Sequence, residues 1–214
     1  MTWYIEIRFI LISRAEIKRL ETILPTSFKL AINMETNLEQ LKYPIGKFQK
    51  PAHIDQAQIE NYIKILAEFP AKLNEEVNGL TEEELEKTYR PNGWTIRQVV
   101  NHCADSHMNC FIRFKLTLTE DTPTIKPYFE DLWAELPDSK SFPVESSLKI
   151  LIGLHERWVN LLKSLPVENL DKQFKHPETG DLISLKAIIG IYAWHSEHHL
   201  AHVRNAKRSI YGDV

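Results

Sequence analysis

Cysteine and glycine are scarce in this chain, and each scarcity removes a class of fold. The 214 residues include two cysteines, Cys103 and Cys110. Both fall in what reads as one helix, about 10 Å apart along its axis, beyond the roughly 4.4–6.8 Å that a disulfide spans. We read them as reduced, buried thiols, as expected of a cytoplasmic protein. Seven glycines in 214 residues leave little room for tight hairpins and point to helices. No apolar run approaches the roughly 18 residues needed to cross a membrane. The start, WYIEIRFILI at residues 3–12, is interrupted by Glu6 and Arg8 and lacks the basic region and cleavage site of a signal peptide. Charge is balanced, 26 Lys and Arg against 29 Asp and Glu, so nothing argues for a nucleic-acid partner or a solvating acidic tail. No GxGxxG or GxxxxGK motif occurs, which removes the usual nucleotide-binding loops. What remains is an ordinary globular composition, with 43% hydrophobic and 26% charged residues, enough for one sizeable core.

Residues 1–33 differ from the rest, and we expect them to be an upstream extension or a dispensable arm, the competing reading being a helix or strand docked on the domain. Residues 34–214 then form the domain proper. Helical signals are strong from residue 55. Asp55 with Gln58, Thr81 with Glu84, and Thr95 with Gln98 are capping boxes, in which a side chain at the cap and one three positions on satisfy each other's backbone donors. The first opens a helix with Ile59, Tyr62, Ile63, Leu66, Phe69 and Leu73 on one stripe, and Pro70 bends it rather than ending it. The second opens a short helix to about Lys87. Asn92-Gly93 marks a turn. The third opens a helix to about Leu118. Residues 120–143 read as a loop with Tyr128, Phe129 and Trp133 in it, long enough to be a lid or binding loop. A further helix spans about Glu145 to Leu165, a turn falls at His176-Pro177 to Gly180, and a last helix covers about Ser184 to Lys207. Four long helices with short connectors predict an all-α helical bundle.

The nine histidines are the chemical signal, and four of them crowd into HSEHHLAH at residues 195–202. Residues four apart share a helix face, so an HxxxH pair aims two imidazoles at one point. Neutral imidazole is a good ligand for zinc and nickel. Leu185, Ile189, Tyr192 and Val203 set the apolar stripe. His199 lies about 40° from its centre and His195 about 80°, whereas His202 and His198 lie about 100° and 140° away. The inward pair is therefore His195 and His199, and His198 and His202 read as rim or surface residues. A third ligand is expected in NHCADSHMN at residues 101–109. There the wheel favours His107, with His102 about 120° from the stripe centre. A helix facing two neighbours has a wide inner surface, so both remain open.

GWTIRQVVNHCADSHMNCFIRFKLTLTEDTPTIKPY at residues 93–128 and YAWHSEHHLAHV at 192–203 closely resemble the YfiT group of the DinB-like superfamily. YPIGKF near residue 43 and HERW at residues 155–158 extend the likeness over roughly residues 40–205. The resemblance implies a four-helix bundle with one metal ion held by three histidines. Matched position by position these fall on His102, His195 and His199, which decides for His102 over His107. It also implies a cytoplasmic homodimer and a zinc-dependent hydrolase acting on a small-molecule substrate. Wider relatives resemble S-transferases that use bacillithiol or mycothiol with zinc or nickel. Asn101 departs from the pattern where relatives carry another histidine, and residues 1–33 have no counterpart.

Such an ion makes hydroxide available at neutral pH for hydrolysis, or binds a small thiol as thiolate for transfer. A third reading is a metal-binding module without turnover. Hydrolysis needs an acid or base, for which Asp105 is the candidate catalytic residue. Glu197 reads as a solvated carboxylate, and Arg113 and Lys115 as exposed charges. If residues 1–33 are dispensable, deleting them leaves metal content and melting temperature unchanged. A large loss of either in the truncated protein would show that they belong to the domain.

Overall fold

The computed structural model describes residues 37–211. The expected extension at 1–33 lies outside the described residues. Four long helices make the bundle: α1 (Gln56–Val77), α3 (Ile96–Thr119), α6 (Glu145–Ser164) and α7 (Leu185–Tyr211). Between them stand the short α2 (Glu82–Leu85), α4 (Glu130–Ala134) and α5 (Pro137–Ser141). Each of α1 and α3 packs against both α6 and α7. Among the described residues no helix is long and apolar enough to cross a membrane.

The three capping boxes form as expected, with both reciprocal hydrogen bonds present at Asp55, Thr81 and Thr95. Helix α1 runs through Pro70 without a break. Proline has no N–H, so the carbonyl of Leu66, four residues earlier, loses its intrahelical donor. Asn92 takes a left-handed φ of 55° at the predicted turn, a conformation that asparagine tolerates better than most residues. Gly93 follows it, where a Cβ would lie 2.7 Å from the Arg90 side chain.

Two predictions need correction. Residues 120–143 are not a free loop. They contain α4 and α5, pinned to the first half of α3. Gln98 Nε2 donates to Ala134 O at 2.8 Å, Asn101 Nδ2 to Ser139 O at 3.1 Å, and Arg97 Nη1 to Phe142 O at 3.0 Å. These donors are internal to a helix whose periodicity shows only apolar positions, so the wheel missed the docking. Asn101 is thus an anchor for this segment, and it also accepts from Ser147 Oγ at 2.6 Å. The second correction is a small antiparallel hairpin, β1 (Gln173–Lys175) with β2 (Leu182–Ser184), around the predicted 176–180 turn. Strands of three residues are too short to show a period-2 pattern.

The core is divided. One apolar cluster holds Trp158, Phe114, Phe174, Leu185 and Ile189, and the other holds Phe69, Leu73, Leu151, Val100 and Leu200. His107 touches both, stacking on Phe69 with ring centres 5.2 Å apart and meeting Trp158 edge-on at 6.2 Å. A layer of histidines occupies the level where the two clusters meet.

Candidate metal centre

His102 projects from α3, and His195 and His199 from α7. One ring nitrogen of each lies within 4.8 Å of the others. His102 Nε2 and His195 Nε2 are 3.2 Å apart. His102 and His199 are buried, while His195 is partly exposed. The bundle positions them because α3 and α7 pack directly on each other, and the i, i+4 spacing stacks the α7 pair on one face. Trp94, just before the Thr95 cap, lies over His102 with ring centres 4.6 Å apart and parallel to His199 at 6.5 Å.

Both histidines between which the α3 wheel wavered are buried, His102 at 5% and His107 at 0% exposure. Only His102 joins the three-residue group. His107 stands behind it, its Nε2 3.1 Å from His195 Nδ1 and its Nδ1 2.8 Å from His155 Nε2. His155 Nδ1 donates to the Leu66 carbonyl at 2.6 Å, the acceptor that Pro70 leaves free. Sequence reading passed over His155, although it shares the buried face of α6 with Leu151, Trp158 and Leu162.

The rim assignment of His198 and His202 is overturned, since both are buried. Aromatic side chains and the segment before α1 cover the part of α7 that an apolar stripe leaves unassigned. His202 stacks on Tyr89 with ring centres 3.8 Å apart, and its Nε2 meets Lys42 O at 3.2 Å. His198 stacks on Trp194 at 4.4 Å and lies near Tyr43. Trp194 Nε1 donates to Gly46 O, so the YPIGKF segment serves as a cover for this face.

Asp105 is half-buried and is not one of the three-residue group. Burial, helped by Asp138, raises its carboxyl to about 6. Glu197 is a surface carboxylate 3.6 Å from Lys72 Nζ. Lys115 is exposed, with its ammonium over the Phe111 ring, and Arg113 is half-buried. Cys103 and Cys110 are free and buried, and burial pushes both thiols up, which fits inert core residues rather than nucleophiles.

Burial drives the imidazoles the other way. Desolvation, with His198 nearby, lowers His102 to about 3. It holds His107, His195 and His199 well below the ordinary value, with neighbouring imidazoles adding to the effect. His155 falls to about 4 and His202 to about 3 from the same cause. The site is therefore a set of neutral imidazoles at physiological pH, the protonation state a cation requires.

A family model of the DinB superfamily matches residues 65–203. The chain belongs to the DinB superfamily. It is 50% identical over 173 residues to a protein of Bacillus cereus (strain 03BB102) and to one of Bacillus anthracis (strain A0248), each named "Putative metal-dependent hydrolase". Each alignment covers 81% of this chain and 99% of the relative. Among solved structures it resembles YfiT from Bacillus subtilis, described as "a probable metal-dependent hydrolase with an unusual four-helix bundle topology". The TM-score is 0.78 at 45% identity, over 81% of this chain and 99% of that one. The four-helix bundle expected from sequence is thus the fold of this structural relative.

Neutral buried histidines make stability depend on pH. In the unfolded chain a histidine takes up a proton as pH falls through about 6.5. His155, 2% exposed, refuses that proton until about 4. The unfolded state therefore binds more protons in this window, and stability is lost as pH falls. His155 alone removes about 3 kcal/mol across it. Asp105, with its raised carboxyl, works in the opposite sense but is one group against several. Urea unfolding of the metal-free protein should show a free energy at least about 2 kcal/mol lower at pH 4.5 than at pH 7. An equal value at both would mean that the imidazoles are not held neutral.

Proposed function

We propose that this protein is a hydrolase dependent on zinc or nickel, with one ion per chain held by His102, His195 and His199. The observation that carries the reading is the convergence of three neutral imidazoles from two packed helices, one of them partly exposed. The donor chemistry, three imidazoles, fits a zinc or nickel ion. Nitrogen ligands at the usual zinc distance lie about 3.3 Å from one another, and His102 Nε2 and His195 Nε2 are 3.2 Å apart. Three ligands rather than four match the open arrangement of catalytic rather than structural zinc. When bound, a divalent ion there supplies Lewis acidity, polarising a carbonyl and acidifying water to a pKa of about 7.

The protein's own groups supply the rest. Trp94 walls the site over His102, and the apolar clusters above and below keep bulk water from the buried imidazoles. The partly exposed side of His195 is the way in for a small-molecule substrate. Asp105, one helical turn from His102 and raised to about 6, can exist in both protonation forms near neutral pH and is our candidate proton carrier.

A second reading is transfer of a low-molecular-weight thiol. It is supported by the group's composition, three imidazoles with no carboxylate, because metal ligation deprotonates a thiol without a separate base. A cytoplasmic homodimer belongs to either proposal on the strength of the family resemblance.

Metal per chain, measured on protein purified without an affinity tag, tests the site. We expect about one zinc or nickel per wild-type chain and none in His199→Ala. Equal metal in both, or none in either, would remove the basis of the reading. With the site established, turnover of ester or amide substrates without added thiol supports hydrolysis. Turnover only with thiol present supports transfer.

A further inference from the structure

We infer that two hydrogen-bonded histidine relays fix the tautomers of His195 and His199, which makes His107, His155 and His202 positioning residues for the bound cation. The inference rests on the reading of His102, His195 and His199 as ligands.

The first relay is read from its far end. A carbonyl oxygen only accepts, so the 2.6 Å contact between His155 Nδ1 and Leu66 O requires a proton on His155 Nδ1. A neutral imidazole carries one proton, so His155 Nε2 is bare and accepts from His107 Nδ1 at 2.8 Å. His107 Nε2 is then bare and accepts from His195 Nδ1 at 3.1 Å. The proton of His195 is thereby placed on Nδ1, and its Nε2, the nitrogen facing His102 Nε2, is left with a free lone pair.

The second relay is shorter and has the same logic. His202 Nε2 lies 3.2 Å from the Lys42 carbonyl and must carry the proton. Its bare Nδ1 lies 3.4 Å from His199 Nδ1 and accepts from it. His199 Nε2 is left bare. Both relays end on main-chain carbonyls that ordinary helix geometry has left without a donor. Leu66 O is freed by Pro70, whose ring nitrogen has no hydrogen. Lys42 is the last residue of a helical turn, where carbonyls have no intrahelical partner. His102 is not held this way. In the metal-free chain its Nε2–H donates to the bare His195 Nε2.

Ligand imidazoles commonly give their second N–H to a carboxylate, a carbonyl or water. Here the partner is another histidine, itself anchored through its second nitrogen, His107 on His155 and His202 on the Lys42 carbonyl. An alternative tautomer at His195 would set two lone pairs against each other at one contact of the relay, at His107, at His155 or at the Leu66 carbonyl. The lone pairs are thus aimed before any cation arrives.

Competition with a chromophoric chelator gives zinc affinity for the wild type, His107→Phe and His202→Phe. Phenylalanine keeps an aromatic ring against Phe69 and Tyr89 but has no nitrogen lone pair to accept a hydrogen bond. Each variant should bind zinc about 10–100-fold more weakly than wild type. Nitrogen-15 NMR of the metal-free wild type should show His195 and His199 with the proton on Nδ1, whether or not either variant folds. Wild-type affinity in both variants overturns the inference, as does a proton on Nε2 of His195 or His199. If the wild type binds no zinc, the ligand reading fails, and the NMR result still decides the relays.

Discussion

Imidazoles packed inside an apolar bundle remain uncharged, because a protonated ring at that depth would lose its hydration, and among the described residues no carboxylate lies against these rings to compensate. His102, His107, His155, His195, His198, His199 and His202 all have their basicity lowered, with burial the largest cause in each case. That constraint organises the middle of the molecule. A neutral ring has one donor and one acceptor, so a layer of such rings is stable only when they are arranged head to tail. Main-chain carbonyls at the ends of the chains set the direction in which the protons run.

The helices supply that arrangement from opposite sides. The three-histidine group needs only α3 and α7, but its support draws on every long helix of the bundle. His107 comes from α3, His155 from α6 and the Leu66 carbonyl from α1. The proline in α1 would ordinarily be a defect, costing a hydrogen bond in the middle of a helix. Here the orphaned carbonyl has a buried donor 2.6 Å away. The docking of α4 and α5 through Gln98, Asn101 and Arg97 holds the segment that follows α3 against the N-terminal half of that helix, which carries His102. Arg97 also pairs with Glu82 and Glu86 of the connection before α3, tying down the chain that carries Trp94.

Much of this was legible in the sequence. Capping boxes at Asp55, Thr81 and Thr95 located helix starts to the residue, because a cap is a local hydrogen-bonding rule. Bundle architecture followed from helix count and connector length. The α7 pair followed from periodicity, since His195 and His199 lean toward the stripe set by Leu185 and Ile189. Periodicity failed where burial is not by apolar neighbours. His198 and His202 looked exposed because their cover, Tyr43, Tyr89 and Trp194, lies outside any helical stripe from another long helix. His107 looked like the ligand because it lies near the centre of the apolar stripe, and it stands behind the three-histidine group, against His195. The resemblance to the DinB-like superfamily, not the wheel, selected His102. Pro70 was visible in the sequence as a helix irregularity. Its meaning needed the position of His155, which only tertiary packing provides.

The central claim is that three imidazoles, and no other side chain, hold the ion. X-ray absorption at the metal edge of the loaded protein tests it most directly, because it reads donor type and distance without reference to activity. The account predicts three imidazole nitrogens at about 2.0–2.1 Å, with oxygen filling the rest of the shell. A sulfur scatterer near 2.3 Å would bring in a cysteine, and a fourth imidazole would bring in a histidine such as His198. Either result would contradict the open three-histidine site on which the functional reading depends.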